Sequence, residues 1–325
     1  MRRGCGDEAR EQLAKARALA LGASLSFSGM YVCVKLLSPG VSSFEALFAR
    51  STIGLLVCFV LLRRAGSAVR WGSWKLNLAR ATCGFLSIGG QFIALHEGGC
   101  SLSTVAFLRH AAPVWMLLFV GPLLHEWPDR RAKLAVAVGV VGTLLALRPQ
   151  GGESTWGLAV AVSSGFTAAL ALISVRKLTS TDHPLTIVTF FMAFVALVTG
   201  PMVAARWASV GPQWTQRDLA LLGITALLGT LGQLLNTHAY RHGRAVAMAV
   251  TGLSEVVFTL LLAWTLAGDA LPPWTTFLGG GAILAAAWIA TRPRARPDAA
   301  AESAGSIVAT SGKPRGRARE RTCSR

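Results

Sequence analysis

Arg109 and His110 in 101–124, and Glu255 in 245–267, stand inside stretches that are otherwise apolar. An ionised side chain at the centre of a membrane-spanning helix costs roughly 2.5 to 3.5 kcal/mol on insertion scales, so it normally faces a partner or a water-filled cavity. The chemistry open to such a set is recognition of a charged solute, proton transfer through the carboxylate, or internal charge pairing. Glu255 lies roughly ten residues into its helix, near the middle by rise per residue. It is either a proton-coupling or cation-binding group or the structural partner of Arg109 or His110. Arg109, if it faces a cavity, favours carboxylates or phosphates, which arginine grips through two parallel hydrogen bonds. Being adjacent, Arg109 and His110 point about 100° apart, which argues against both meeting one ligand.

Further polar residues fall at helical spacing. Ser24, Ser28, Tyr31 and Lys35 share one helix face, as do Arg80, Gly84, Ser87 and Gln91. Gly229, Gln233, Asn236 and Tyr240 form a third stripe, and Met248, Thr251 or Gly252, Glu255 and Thr259 a fourth. The stripes are expected to line a central cavity, with Arg50, Gln91, Arg109, His110, Trp115, Gln233, Asn236 and Glu255 as substrate-binding residues. Serines and glycines in them serve helix packing equally well. Pro113 is the gating candidate, because proline deletes a backbone hydrogen bond and softens its helix. Lys35 and Glu45, near the ends of adjacent helices, are expected to pair or to snorkel to the interface. Arg80 is placed near the inner end of its span.

The elements that must position these residues follow from composition. Of 325 residues 53% are hydrophobic, mean hydropathy is +0.51 and 14% are charged, where a soluble domain carries roughly 25%. An ordinary soluble enzyme is excluded. Ten stretches reach the roughly 20 apolar residues that a spanning helix needs: 17–37, 43–62, 75–96, 101–124, 131–148, 155–175, 184–206, 217–239, 245–267 and 273–291. The first is a retained helix, since no small-residue cleavage site follows it.

Lys and Arg cluster at Arg2 to Arg17, Arg63 to Lys75, Arg130 to Lys133, Arg176-Lys177, Arg241 to Arg244 and the C-terminal tail, leaving Lys35, Arg148, Arg206 and Arg217 opposite. Retention of basic loops then puts both termini in the cytoplasm. The net charge of +17 is a topology signal together with contact to anionic membrane lipid. It does not indicate nucleic acid, which needs a basic face on a soluble fold. Cys5, Cys33, Cys58, Cys83, Cys100 and Cys323 lack metal-ligand spacing, so no zinc site or disulfide framework is expected. Residues 1–16 read as a cytoplasmic tail and 292–325 as a basic, disordered one.

The chain also repeats. Pro113-Val-Trp-Met-Leu-Leu-Phe and the later His125-Glu126 lie over Val256-Val-Phe-Thr-Leu-Leu-Leu and Gly268-Asp269. Each half reads as long helix, acidic tight turn, Gly- and Ala-rich helix. Because each half holds five spans, 17–148 and 155–291 enter from opposite sides. An all-α integral membrane protein of two inverted five-helix repeats suits alternating access to a midplane site.

These residues resemble a ten-helix permease of the drug/metabolite transporter superfamily, EamA type. The likeness runs from Ala94-Leu95 through Glu126 to "AVGVVGTLLALRP", and from Ala239-Tyr240 through Asp269 to "GGGAILAAAWIA". Glu255 matches a glutamate in the ninth helix of many such permeases, and Arg50 and Arg80 resemble arginines in the second and third helices of one subgroup. Two departures stand out. His125-Glu126-Trp127 replaces the usual Gly-Glu turn, and Arg109-His110 occupies a stretch that is apolar in relatives, which implies an unusual substrate.

The rival classes are an intramembrane enzyme, a sensor or scaffold, and a passive channel. His125-Glu126-Trp-Pro-Asp129 does not make a zinc-protease box, because Pro128 disrupts the helix that would align the ligands and the last residue is Asp. No Gly-x-x-x-x-Gly-Lys motif for ATP occurs. The expectation is a secondary transporter, not an enzyme, needing no cofactor and moving a small organic, anionic or zwitterionic metabolite across a plasma (inner) membrane, with proton coupling open. The Gly279-Gly280-Gly281 run marks close helix packing or contact with a second copy of the chain.

Overall fold

A chain this apolar must satisfy its backbone hydrogen bonds internally, and in lipid only helices and closed barrels do so. The computed structural model describes residues 2–64, 73–96, 100, 102–147, 154–266 and 274–291, and all the secondary structure among them is helical. In order these are α1 (Arg2–Lys35), α2 (Ser43–Arg64), α3 (Trp74–His96), α4 (Leu102–His110), α5 (Ala112–Leu124), α6 (Arg130–Leu147), α7 (Thr155–Leu178), α8 (Pro184–Val210), α9 (Gln216–His242), α10 (Ala245–Gly252), α11 (Ser254–Leu266) and α12 (Trp274–Ala290). The second acidic turn at Gly268-Asp269 and the tail from 292 lie outside the described residues.

Counted as rods, the twelve segments are ten helices, because α4 with α5 and α10 with α11 are single helices interrupted at Ala111 and Leu253. Seven rods are long and apolar enough to cross a membrane, and α12 is a shorter apolar helix. With α3 and α6, whose N-terminal ends are basic, they match the ten stretches read from hydropathy.

The interruptions are not legible in hydropathy. At both, the backbone tightens from four-residue to three-residue hydrogen bonds: Ala111 N–H donates to Leu108 and Val114 to Ala111, and Leu253 donates to Val250 and Val256 to Leu253. Pro113 explains the first break, since it cannot donate to the preceding turn. The second has no proline.

Helix α1 packs on α9, α3 on α7, α2 on α8 and α6 on α12. The α6–α12 contact is made by glycine: a Cβ on Gly142 would stand 2.8 Å from the Gly279 carbonyl oxygen, and one on Gly279 2.5 Å from that of Gly142. Gly280 faces Val257 while Gly281 meets open space. The largest buried apolar cluster joins α5, α6, α7, α10 and α12 around Met116, Ile173, Met248 and Ile283. A second joins α2, α3 and α8 around Cys58, Phe191 and Met192.

The connections are fixed by carboxylates. Glu45 accepts from the Ser42 amide and the Trp207 indole at 2.6 Å each and pairs with Arg206 at 3.3 Å. Its ion pair is thus with α8. Asp218 forms a capping box with Thr215 at the start of α9 and accepts from the Ser38 amide, tying the α1–α2 connection to α9. Glu126 accepts from Arg176 at 2.7 Å and from the Ala245 amide at 3.0 Å, and Arg176 also donates to the Tyr240 carbonyl. One carboxylate thereby joins the end of α5, the end of α7 and the first residue of α10. His125, the C-cap of α5, adopts φ 57°, a left-handed conformation that favours glycine.

Candidate functional site

The two interruptions place the charges. Arg109 and His110 are the last residues of α4, and Glu255 is the second residue of α11. Arg109 Nη1 donates to Glu255 Oε1 at 2.8 Å, and His110 Nε2 lies 3.8 Å from the same oxygen. Both neighbours therefore meet Glu255, contrary to the 100° separation expected of adjacent helical positions. The long arginine side chain reaches around its helix to the carboxylate. Of the two roles open to Glu255, the structure displays the ion-pair partnership. The guanidinium carbon of Arg109 also lies 5.2 Å from the Tyr31 ring centroid.

This cluster forms part of the wall of a cavity of about 180 Å³. Drug-sized ligand sites run from about 300 to 1,000 Å³, so the space suits a small metabolite or one end of a larger one. Helices α1, α2, α3, α7, α8 and α9 complete the wall with both interrupted helices.

Of the sequence candidates, Arg50, Gln91, Arg109, His110, Gln233, Asn236 and Glu255 line the cavity, and Pro113 lies beside the break in its wall. Trp115 is placed elsewhere: it packs edge-on to Phe166, with ring centroids 5.7 Å apart, among the apolar side chains of the core. The α3 stripe of Arg80, Gly84, Ser87 and Gln91 faces the cavity along its whole length. The α1 stripe divides. Ser24 and Tyr31 reach the cavity, while Ser28 donates to the Glu255 carbonyl at 2.9 Å and accepts from Thr259 at 3.0 Å, a packing contact between α1 and α11.

Arg80 is the polar residue whose place the sequence undervalued. Although only six positions from the start of α3, it is buried at 5% exposure and its side chain reaches inward. Its guanidinium stacks on Phe191, 3.7 Å from the ring centroid, and Nη2 donates to Gln233 Oε1 at 3.2 Å. Met248 of the fourth stripe lines the space, and so do Phe27, Met30 and Phe191, which the stripes did not include. No chemical signal separates these apolar side chains from core residues in the sequence.

Two sequence matches decide the classification. The profile of the EamA-like transporter family matches residues 14–148 and again 155–292. The chain belongs to the EamA-like transporter family. Within this EamA-like chain the two matched segments each hold one interrupted helix, and the Arg109–Glu255 pair bridges them.

Among curated relatives, the pseudopaline exporter CntI of Pseudomonas aeruginosa strain UCBPP-PA14 is 31% identical over 269 residues, covering 82% of this chain and 93% of the relative. A protein of Helicobacter pylori strain J99 described as an uncharacterized transporter is 26% identical over 280 residues, covering 83% and 92%. A solved crystal structure aligns with TM-score 0.69 at 18% identity over 88% of this chain and 96% of the other; it is similar in fold. The family and its relatives are transporters, and the protein is an integral, multi-pass membrane protein.

Proposed function

We propose that the chain is a secondary transporter, moving a small organic metabolite across the plasma (inner) membrane by alternating access between two inverted five-helix halves. The observation that carries this reading is the convergence of both interrupted helices on one polar cavity, with Arg109 and His110 from one and Glu255 from the other. A helix broken near its middle frees polar groups for a solute and gives a point at which a half can bend, which is how many transporters build midplane sites.

Two features support the inverted halves. The family profile matches twice. In addition, exchanging the first five rods for the last five turns the α1–α9 contact into α7–α3, and both contacts are present. With five helices per half, the second half enters the membrane from the opposite face. Basic residues in the connections then support cytoplasmic termini.

Outward movement is the direction to test first, because the Pseudomonas aeruginosa relative is named as an exporter. Glu255 exchanges its Arg109 partner for a proton or a solute group during the cycle, and His110 at 3.8 Å is the nearest relay. The test is flux. Purified protein in liposomes loaded with a mixed metabolite pool is followed by mass spectrometry, with and without a proton gradient. Protein-dependent loss of at least one compound is expected, with Glu255→Gln removing any response to the gradient. Absence of flux for every compound in both directions, from protein that elutes as a single species, would overturn the reading.

A further inference from the structure

The cavity holds more positive charge than its own side chains neutralise. Arg109 is paired with Glu255. Arg50 and Arg80 are buried at 8% and 5% exposure and line the same space, yet neither forms an ion pair among the described residues. Arg50 makes no hydrogen bond there, and its buried Nε has no acceptor. Arg80 uses only Nη2, leaving buried Nε and Nη1 without acceptors. A buried guanidinium lacking a counter-charge is costly, and removing one partner of such a pair is strongly destabilising. The fold nevertheless builds support around both groups. Phe191 and Gln233 hold the plane of Arg80. Gly229 keeps clear the space beside Arg50 Nε, where a Cβ would stand 2.5 Å away, and Gly84 leaves room for the Phe191 ring, where a Cβ would stand 3.1 Å away.

We infer that Arg50 and Arg80 together form the anion-binding centre of the cavity, and that the solute is a small organic acid carrying two carboxylates, one for each unpaired guanidinium. This rests on the transport reading above and names its substrate class. Arg109, the arginine singled out from sequence, is already occupied by Glu255 and does not belong to this centre. Gln91 and Asn236 line the same space and supply neutral amide donors for the remaining carboxylate oxygens. In this conformation the carboxylate of Glu255 is engaged by Arg109, so the cavity offers no free counter-charge for a dication.

The test is thermal unfolding of the full-length protein in detergent with a five-carbon dicarboxylate, the matching monocarboxylate, the diamide, the diamine, and chloride or sulfate. The dicarboxylate is expected to raise the midpoint at concentrations about tenfold or more below those of the monocarboxylate, as a second charge-assisted contact implies. Arg50→Gln and Arg80→Gln should each remove that preference, and Arg50→Gln, which breaks no hydrogen bond and relieves an uncompensated charge, should leave the ligand-free midpoint unchanged or higher. Arg50→Lys and Arg80→Lys keep the charge and should keep part of the preference. Equal response to mono- and dicarboxylate, equal response to sulfate, an unchanged preference in both Gln variants, or a lower ligand-free midpoint in Arg50→Gln would overturn the assignment. Flux of a compound other than a diacid in the liposome assay would overturn it too, while leaving the transporter reading intact.

Discussion

Arg50 crosses the backbone of Gly229: a Cβ at that glycine would stand 2.5 Å from Arg50 Nε and 3.2 Å from its Cδ. The position of a buried cation on α2 is therefore set by the absence of a side chain on α9.

Gly229→Ala is expected to displace the Arg50 side chain. A glycine in a helix interior ordinarily costs about 1 kcal/mol relative to alanine, so the variant need not unfold, but its ligand response should fall about tenfold, one lost charged contact by general magnitudes. Gly223→Ala, in the same helix where a Cβ meets nothing within 4 Å, should leave that response unchanged. Parallel thermal-shift titrations separate the two.

Breaking the Arg109–Glu255 pair leaves one buried charge alone. Arg109→Met and Glu255→Met should each destabilise by about 3 kcal/mol, and the double variant should recover most of that loss. Unfolding midpoints of the three variants give the coupling directly. Additive losses would mean that the 2.8 Å contact contributes nothing.

Glu126→Gln removes a carboxylate that serves both Arg176 and the amide of Ala245. Loss of about 1 to 2 kcal/mol is expected for this partly exposed contact. Hydrogen exchange should accelerate first at the amides of Ala245 to Met248, before the rest of α10 responds.

His125 occupies a left-handed conformation at φ 57°, which costs an L residue about 1 to 2 kcal/mol. His125→Gly should raise the unfolding midpoint, and His125→Val, with a branched Cβ, should lower it. A drop for the glycine variant would show that the imidazole makes a compensating contact.

The ten rods were legible because lipid forces every span to declare itself by length and apolarity, and the stripe on α3 because polar residues recur at helical spacing. What escaped had local causes. Leu253 ends α10 without proline or charge, through a change of hydrogen-bond partner that hydropathy does not register. Arg109 and His110 reach one carboxylate although their sequence adjacency argued against it, because the long guanidinium arm spans the difference in direction. Arg80 was judged by where its Cα lies, whereas its guanidinium reaches inward to Phe191. Trp115 shared a helix with real cavity residues but found Phe166 instead.

The mutual contact of Gly142 and Gly279 has a mechanical meaning. Two bare backbones rest on each other, and any side chain drawn into the contact would collide with a carbonyl. Sliding α6 along α12 would bring such side chains in, so the crossing fixes the register of the two helices.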